Sequence, residues 1–103
     1  MNAVTLDARL QSRDRLRFTP AGVPALDFAL EHESLQVEAG AERRVACEVA
    51  GVALGPVAQK LADIAPGTQI RCRGFLARRY RTGISLTLHV NAFELTQNET
   101  EGN

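Results

Sequence analysis

Five stretches of this 103-residue chain alternate apolar and polar side chains with a period of two, and that period constrains the fold more than any other feature. Successive side chains of an extended strand point to opposite faces, so the alternation marks strands with one buried side. In the first stretch Val4, Leu6, Ala8 and Leu10 share one face, with Thr5, Asp7, Arg9 and Gln11 on the other. The pattern weakens over positions 11–15 and resumes at Leu16 and Phe18, which predicts a bend or bulge between them. Thr19-Pro20-Ala21-Gly22 reads as a turn, because proline presets φ at its second position and glycine closes it. Beyond it, Leu26, Phe28 and Leu30 face inward on a second strand that forms a hairpin with the first.

Positions 35–42 hold Gly40 and several charges and are expected to be a connection, with Leu35 and Val37 as a short strand tail. Val45, Cys47 and Val49 form the inward face of a third strand, which positions 51–55 end. Pro56 suits the first turn of a helix, where its missing N–H is not needed, and Val57, Leu61 and Ile64 are spaced for one helical face. Pro66-Gly67 stops it. Ile70, Cys72, Gly74 and Leu76 predict a fourth strand with a kink at Gly74. Ile84, Leu86, Leu88 and Val90 predict the inward face of a fifth. Phe93 and Leu95 then fall on odd numbers, so a bulge near Asn91 is expected.

Three strands, a short helix or loop, and two more strands make an all-β, five-stranded OB-fold barrel. Residues 1–96 are expected to form this one domain and residues 97–103 a disordered acidic tail. No apolar run is long enough to span a bilayer and no leader pattern opens the chain, so a cytoplasmic protein is expected. Cys47 and Cys72 sit in apolar alternating runs and read as two reduced core thiols rather than zinc ligands.

Catalysis has few residues to rest on. His32 lies between Glu31 and Glu33, but neighbours on a strand point to opposite sides, so the three do not converge. His89, beside Thr87 and Asn91 on the outward face, reads as a plain surface histidine. No nucleophile–base pair, metal cluster or phosphate loop is evident, so no enzyme activity, cofactor or metal is expected.

Binding has more. Twelve basic and twelve acidic side chains cancel, yet positions 67–83 hold five arginines and no acid. Arg71 and Arg73 alternate with inward residues and project outward; Arg78, Arg79 and Arg81 crowd the following loop around Tyr80. Arg13, Arg15 and Arg17 lie beside Phe18 in the first hairpin. Arginines that track phosphates, with rings on which bases stack, are what a single strand requires, and in an OB barrel these two loops flank the binding face. The alternative is a solvated arginine surface that only keeps a small domain soluble.

Arg17-Phe18-Thr19-Pro20-Ala21-Gly22-Val23-Pro24, followed by Phe28-Ala29-Leu30, resembles the bacterial single-stranded-DNA-binding protein family. Leu30-Glu31-His32, Glu38-Ala39-Gly40, Cys47, Arg73-Gly74-Phe75-Leu76 and Leu88-His89 narrow the resemblance to its primosomal replication protein N (PriB) family. The likeness runs from Val4 to about Leu95. It implies an OB-fold homodimer that binds single-stranded DNA and acts in replication restart with the PriA helicase and the DnaT loader protein. Arg78, Arg79 and Arg81 stand where that family has a basic loop, and Arg43 where it carries a basic residue approaching the third strand. Ala41 and Ala46 depart from it, standing where aromatics can occur; alanine cannot supply the ~1–3 kcal/mol of a base stack. The resemblance leaves open a second reading, a protein-interaction module with vestigial DNA binding, and a third, RNA in place of DNA.

Overall fold

In a computed structural model of the protein, which describes residues 1–96, the period-two stretches are strands. The expected tail, residues 97–103, lies outside the described residues. The elements are β1 (Val4–Arg13), β2 (Arg17–Phe18), β3 (Pro24–Glu38), β4 (Ala41–Leu54), α1 (Pro56–Ala62), β5 (Gln69–Arg78) and β6 (Leu86–Leu95). They form one sheet in the order β1-β5-β6-β4-β3-β2, and β1 also pairs with β3. That extra pairing closes the five long strands into a barrel, with the helix between the third and fourth of them, as in an OB fold.

The irregularity expected after Leu10 is what allows closure. Val4–Arg9 of β1 pairs with β5 and Arg9–Arg13 with β3, and the register slips between Leu10 and Ser12. An extra residue there bends the strand from one partner to the next. The inward residues of the strands, among them Leu10, Leu26, Phe28, Leu30, Ile70, Cys72, Leu88 and Val90, make one buried core. α1 begins with Pro56 in its first turn and seals one end of the barrel with Ala58 and Leu61. The loop after it is tied to β1 by Gly67 N–H to the Leu10 carbonyl, 2.7 Å, and Leu10 N–H to the Thr68 carbonyl, 2.9 Å.

The second bulge also lies where the sequence predicts it. Arg73 pairs with Ala92 but Gly74 with Val90, so Asn91 is the extra residue. Gly74 is required there because a β-carbon at this position would collide with the carbonyl oxygen of His89.

Four expectations fail. Positions 35–42 are not a connection: β3 and β4 run on as a two-stranded arm to Glu38 and Ala41, turned at Ala39 and Gly40, which both have positive φ. The arm extends beyond the barrel, so neither face is buried, and Leu35 and Val37 alternate there without facing a core. For the same reason Cys47, opposite His32 on the arm, is exposed and not a core thiol. The third strand does not break at Gly51 but runs on to Leu54; Gly51 lies directly opposite Phe28, and a β-carbon there would strike its ring, so the glycine makes room for an aromatic rather than breaking the strand. Ile84 and Leu86 do not face the core: Ile84 lies outside β6 and both are exposed, because the β5–β6 hairpin also outruns the barrel.

Candidate nucleic-acid interface

The outward residues of β3, β4 and β6 floor a groove of about 780 Å³, within the range of ligand sites. Ala29, Ala50, Val52, Thr87 and His89 contribute to the floor. One wall is Ser12 and Asp14, just past the β1 bulge, with Asp27 beside them; the other is Arg78 at the end of β5 with Arg79 and Tyr80 from the loop that follows.

The arginines divide into two groups. Arg71 donates to both carboxylate oxygens of Asp7, from Nε at 2.6 Å and Nη2 at 3.0 Å. The two residues face each other in the β1–β5 register. The guanidinium holds the Asp7 carboxyl below its ordinary pKa. Arg73 pairs with Glu94 at 2.9 Å, Arg17 with Asp27 at 2.9 Å and Arg43 with Glu38 at 3.0 Å. Arg44 pairs with Glu33 at 2.6 Å, and Arg9 with Glu31. Arg78, Arg79 and Arg81, like Arg13 and Arg15, form no ion pair among the described residues. Arg78 Nη1 donates to the Arg81 carbonyl at 2.5 Å, and Arg79 Nε to the Tyr80 hydroxyl at 3.1 Å. The Arg79 guanidinium lies 5.6 Å from the centre of the Tyr80 ring, a cation–π distance.

Of the residues singled out in the sequence, the structure therefore gathers Arg78, Arg79, Tyr80 and Arg81 on one loop, the first three lining the groove. It does not bring the others to it. Arg71 and Arg73 lie on the β1–β5–β6 face, Arg43 is near the tip of the arm, and Arg15 and Phe18 are exposed around β2 outside the groove. Arg17 reaches the rim only through Asp27. Arg13 is structural, its Nε donating to the Ile64 carbonyl at 2.9 Å.

The sequence places His89 on the outward face as a plain surface histidine and assigns Phe75 no part in a site. Phe75 and His89 are directly opposite each other on β5 and β6, with ring centroids 4.8 Å apart and planes 12° from parallel. Both face outward, alternating with Gly74 and Leu76 on β5 and with Leu88 and Val90 on β6, and the Asn91 bulge sets them opposite each other. His32 is held by Asp7 O at 2.6 Å and Ser34 Oγ at 2.9 Å, while Glu31 and Glu33 pair with Arg9 and Arg44. The Glu-His-Glu tripeptide is thus spent on three separate contacts. Burial pushes the Cys72 thiol up to about 11, which leaves it protonated and inert. Among the described residues no three His, Cys, Asp or Glu side chains cluster as metal ligands, and no helix is long and apolar enough to cross a membrane.

Comparison with known proteins points the same way as the groove. Residues 2–92 match the profile of a family described as another single-strand binding protein family. The chain is 44% identical over 90 residues to the replication restart protein PriB of Bordetella pertussis, covering 87% of this chain and 84% of that one. It is 35% identical to the Nitrosomonas europaea protein of the same name, over 86% and 82% of the two chains. The crystal structure of PriB from Ralstonia solanacearum superposes with a TM-score of 0.87 at 35% identity, covering 94% of this chain and 99% of that one. The single-stranded DNA binding protein of Thermus aquaticus shares the fold, with a TM-score of 0.76 at 24% identity over 97% of this chain and 52% of that one.

Proposed function

We infer the function from the premise that this chain belongs to the replication restart protein PriB family, within the single-strand binding proteins. It is a DNA-binding replication protein with an OB-fold barrel. Our reading is that it binds single-stranded DNA along the groove, catalyses nothing, and serves as an accessory of the replication-restart primosome, stabilising the helicase on DNA and bridging to the loader protein. The observation that supports it best is the cluster of Arg78 and Arg79 on the groove wall with Arg81 on the same turn, whose charge no carboxylate among the described residues takes up. A guanidinium is always charged and its planar fork suits phosphate oxygens.

We read the working unit as a homodimer. Along Val4–Ala8, β1 pairs only with β5 among the described residues, and its other edge, met by the His32 ring at the Asp7 carbonyl, offers backbone groups to a second copy. A second reading, a protein-interaction module on the same barrel, is favoured by Leu35 and Val37, which are 67% and 76% exposed on the arm.

The test is fluorescence anisotropy with oligo-dT at several salt concentrations. If three arginines each neutralise one phosphate of a single strand, log affinity falls against log salt with a slope near −2 per protomer. Replacing all three with Ala is expected to remove that slope and weaken binding to every sequence alike, with stability changed by less than ~0.5 kcal/mol. A triple variant that binds like wild type would sink the DNA reading of the loop in favour of the interaction module. Light scattering that shows a monomer at micromolar concentration rejects the dimer.

A further inference from the structure

We propose that the stacked Phe75–His89 pair is the platform on which this groove receives an unpaired base. The inference rests on the single-strand reading above and adds the contact that separates a nucleic acid from any other polyanion.

Geometry carries it. Aromatic faces hold bases in single-strand sites, and stacking tolerates every base because each has a π-face. Here the expected aromatic positions of the arm are Ala41 and Ala46. Tyr80 lines the groove, but it is 62% exposed on a loop and one side of its ring lies under the Arg79 guanidinium. Phe75 and His89 differ on both counts. Each stands on a barrel strand and is only half-exposed, and their rings lie 4.8 Å apart and 12° from parallel. With Phe75 against one face of the imidazole, the other is turned toward β4, where Val52 lies opposite His89; Val52 and His89 both line the groove, and Phe75 backs it.

The backbone is built around this pair. Asn91 is the extra residue that sets His89, and not Val90, opposite Phe75. Gly74 lets β5 approach the His89 carbonyl closely enough to hold that register. The rings are therefore oriented before any ligand arrives, and little side-chain entropy remains to be lost on binding. Arg78 and Arg79 stand on the adjoining wall, so a phosphate held there would leave its nucleotide's base beside the platform.

The experiment compares oligo-dT with an abasic oligomer of equal length, which carries the same phosphates and no bases. Wild type is expected to prefer oligo-dT by roughly five- to hundred-fold, the range of one base–aromatic stack. His89→Ala should lose that preference while keeping the salt slope of the arginine loop, and His89→Phe should retain it. Thermal unfolding checks each variant, and His89→Gln replaces His89→Ala should the latter fail to fold. If His89→Ala keeps the wild-type preference, the pair is packing and the proposal falls. Equal binding of the two oligomers by wild type, with the arginine-dependent slope intact, overturns the platform and leaves the groove reading standing. Failure to bind either oligomer overturns both.

Discussion

In the half of the β5–β6 hairpin before the bulge, Arg71 and Arg73 lie against Asp7 and Glu94; beyond it, Arg78, Arg79 and Arg81 meet no carboxylate among the described residues. The residue type is the same and the strands are the same. What differs is the company. The first half runs between β1 and the acidic end of β6, and its inward side chains Ile70 and Cys72 are buried. The second half keeps Leu88 and Val90 in the core but ends past the barrel, where Leu86, opposite Arg78, and Ile84 are exposed and no carboxylate among the described residues meets the loop arginines. A guanidinium already bound to a carboxylate has little net charge to offer a phosphate. Arginines counted along a chain therefore overstate the charge available for binding, and the cross-strand register says which ones remain.

Three changes break or sharpen this contrast. The largest effect belongs to the boundary between the halves. Gly74→Ala drives a β-carbon into the His89 carbonyl oxygen, backbone that cannot step aside without parting the strands. The expected cost is at least the ~1–3 kcal/mol of ordinary overpacking, seen as a drop of about 5–20 °C in melting temperature. A variant that melts like wild type would show that the close approach is not what joins the two halves.

Next is the interior of the first half. Cys72→Ser places a hydroxyl in an apolar core and should cost ~1–3 kcal/mol, whereas Cys47→Ser on the exposed arm should stay within ~0.5 kcal/mol. A thiol reagent added to native protein should label Cys47 and spare Cys72. Labelling of both at equal rates would mean that this half is not sealed.

The smallest effect concerns the paired arginines. Arg71→Ala should leave oligo-dT affinity and its salt slope unchanged, the opposite of the loop variants. Its signature is in acid. The Asp7 pKa is lowered in the folded state, so the pair contributes stability that is present above the unfolded carboxylate pKa near 4 and is lost as pH falls through the lower folded value. Wild type should therefore lose slightly more melting temperature than Arg71→Ala below about pH 4, and only slightly because the pair is exposed. A changed salt slope at neutral pH would count against the division into paired and unpaired arginines.

The barrel was legible because a closed sheet with one filled interior imposes alternation on every strand that lines it. Leu10, Leu26, Phe28, Leu30, Leu88 and Val90 announced their faces, and the parity change at Phe93 announced a bulge at Asn91. Where the chain leaves the barrel the rule lapses. The arm from His32 to Cys47 is held by backbone pairing beyond the barrel, so the alternation of Leu35 with Val37 and of Val45 with Cys47 marks no core, and the sequence shows only part of its strands. Gly51 was misread because its reason, the ring of Phe28, is on another strand.

The candidate site divides along the same line. The sequence alone determined which arginines lie on the β5–β6 loop, since neighbours along a chain stay neighbours in a short turn. Which arginines elsewhere are neutralised, and that Phe75 meets His89 across two strands, are facts of register. Register is set by a bulge at Asn91, a close approach at Gly74 and the bend at Leu10, each a contact between residues distant along the chain. A local pattern records whether a side chain points in or out; only the closed barrel decides what it meets there.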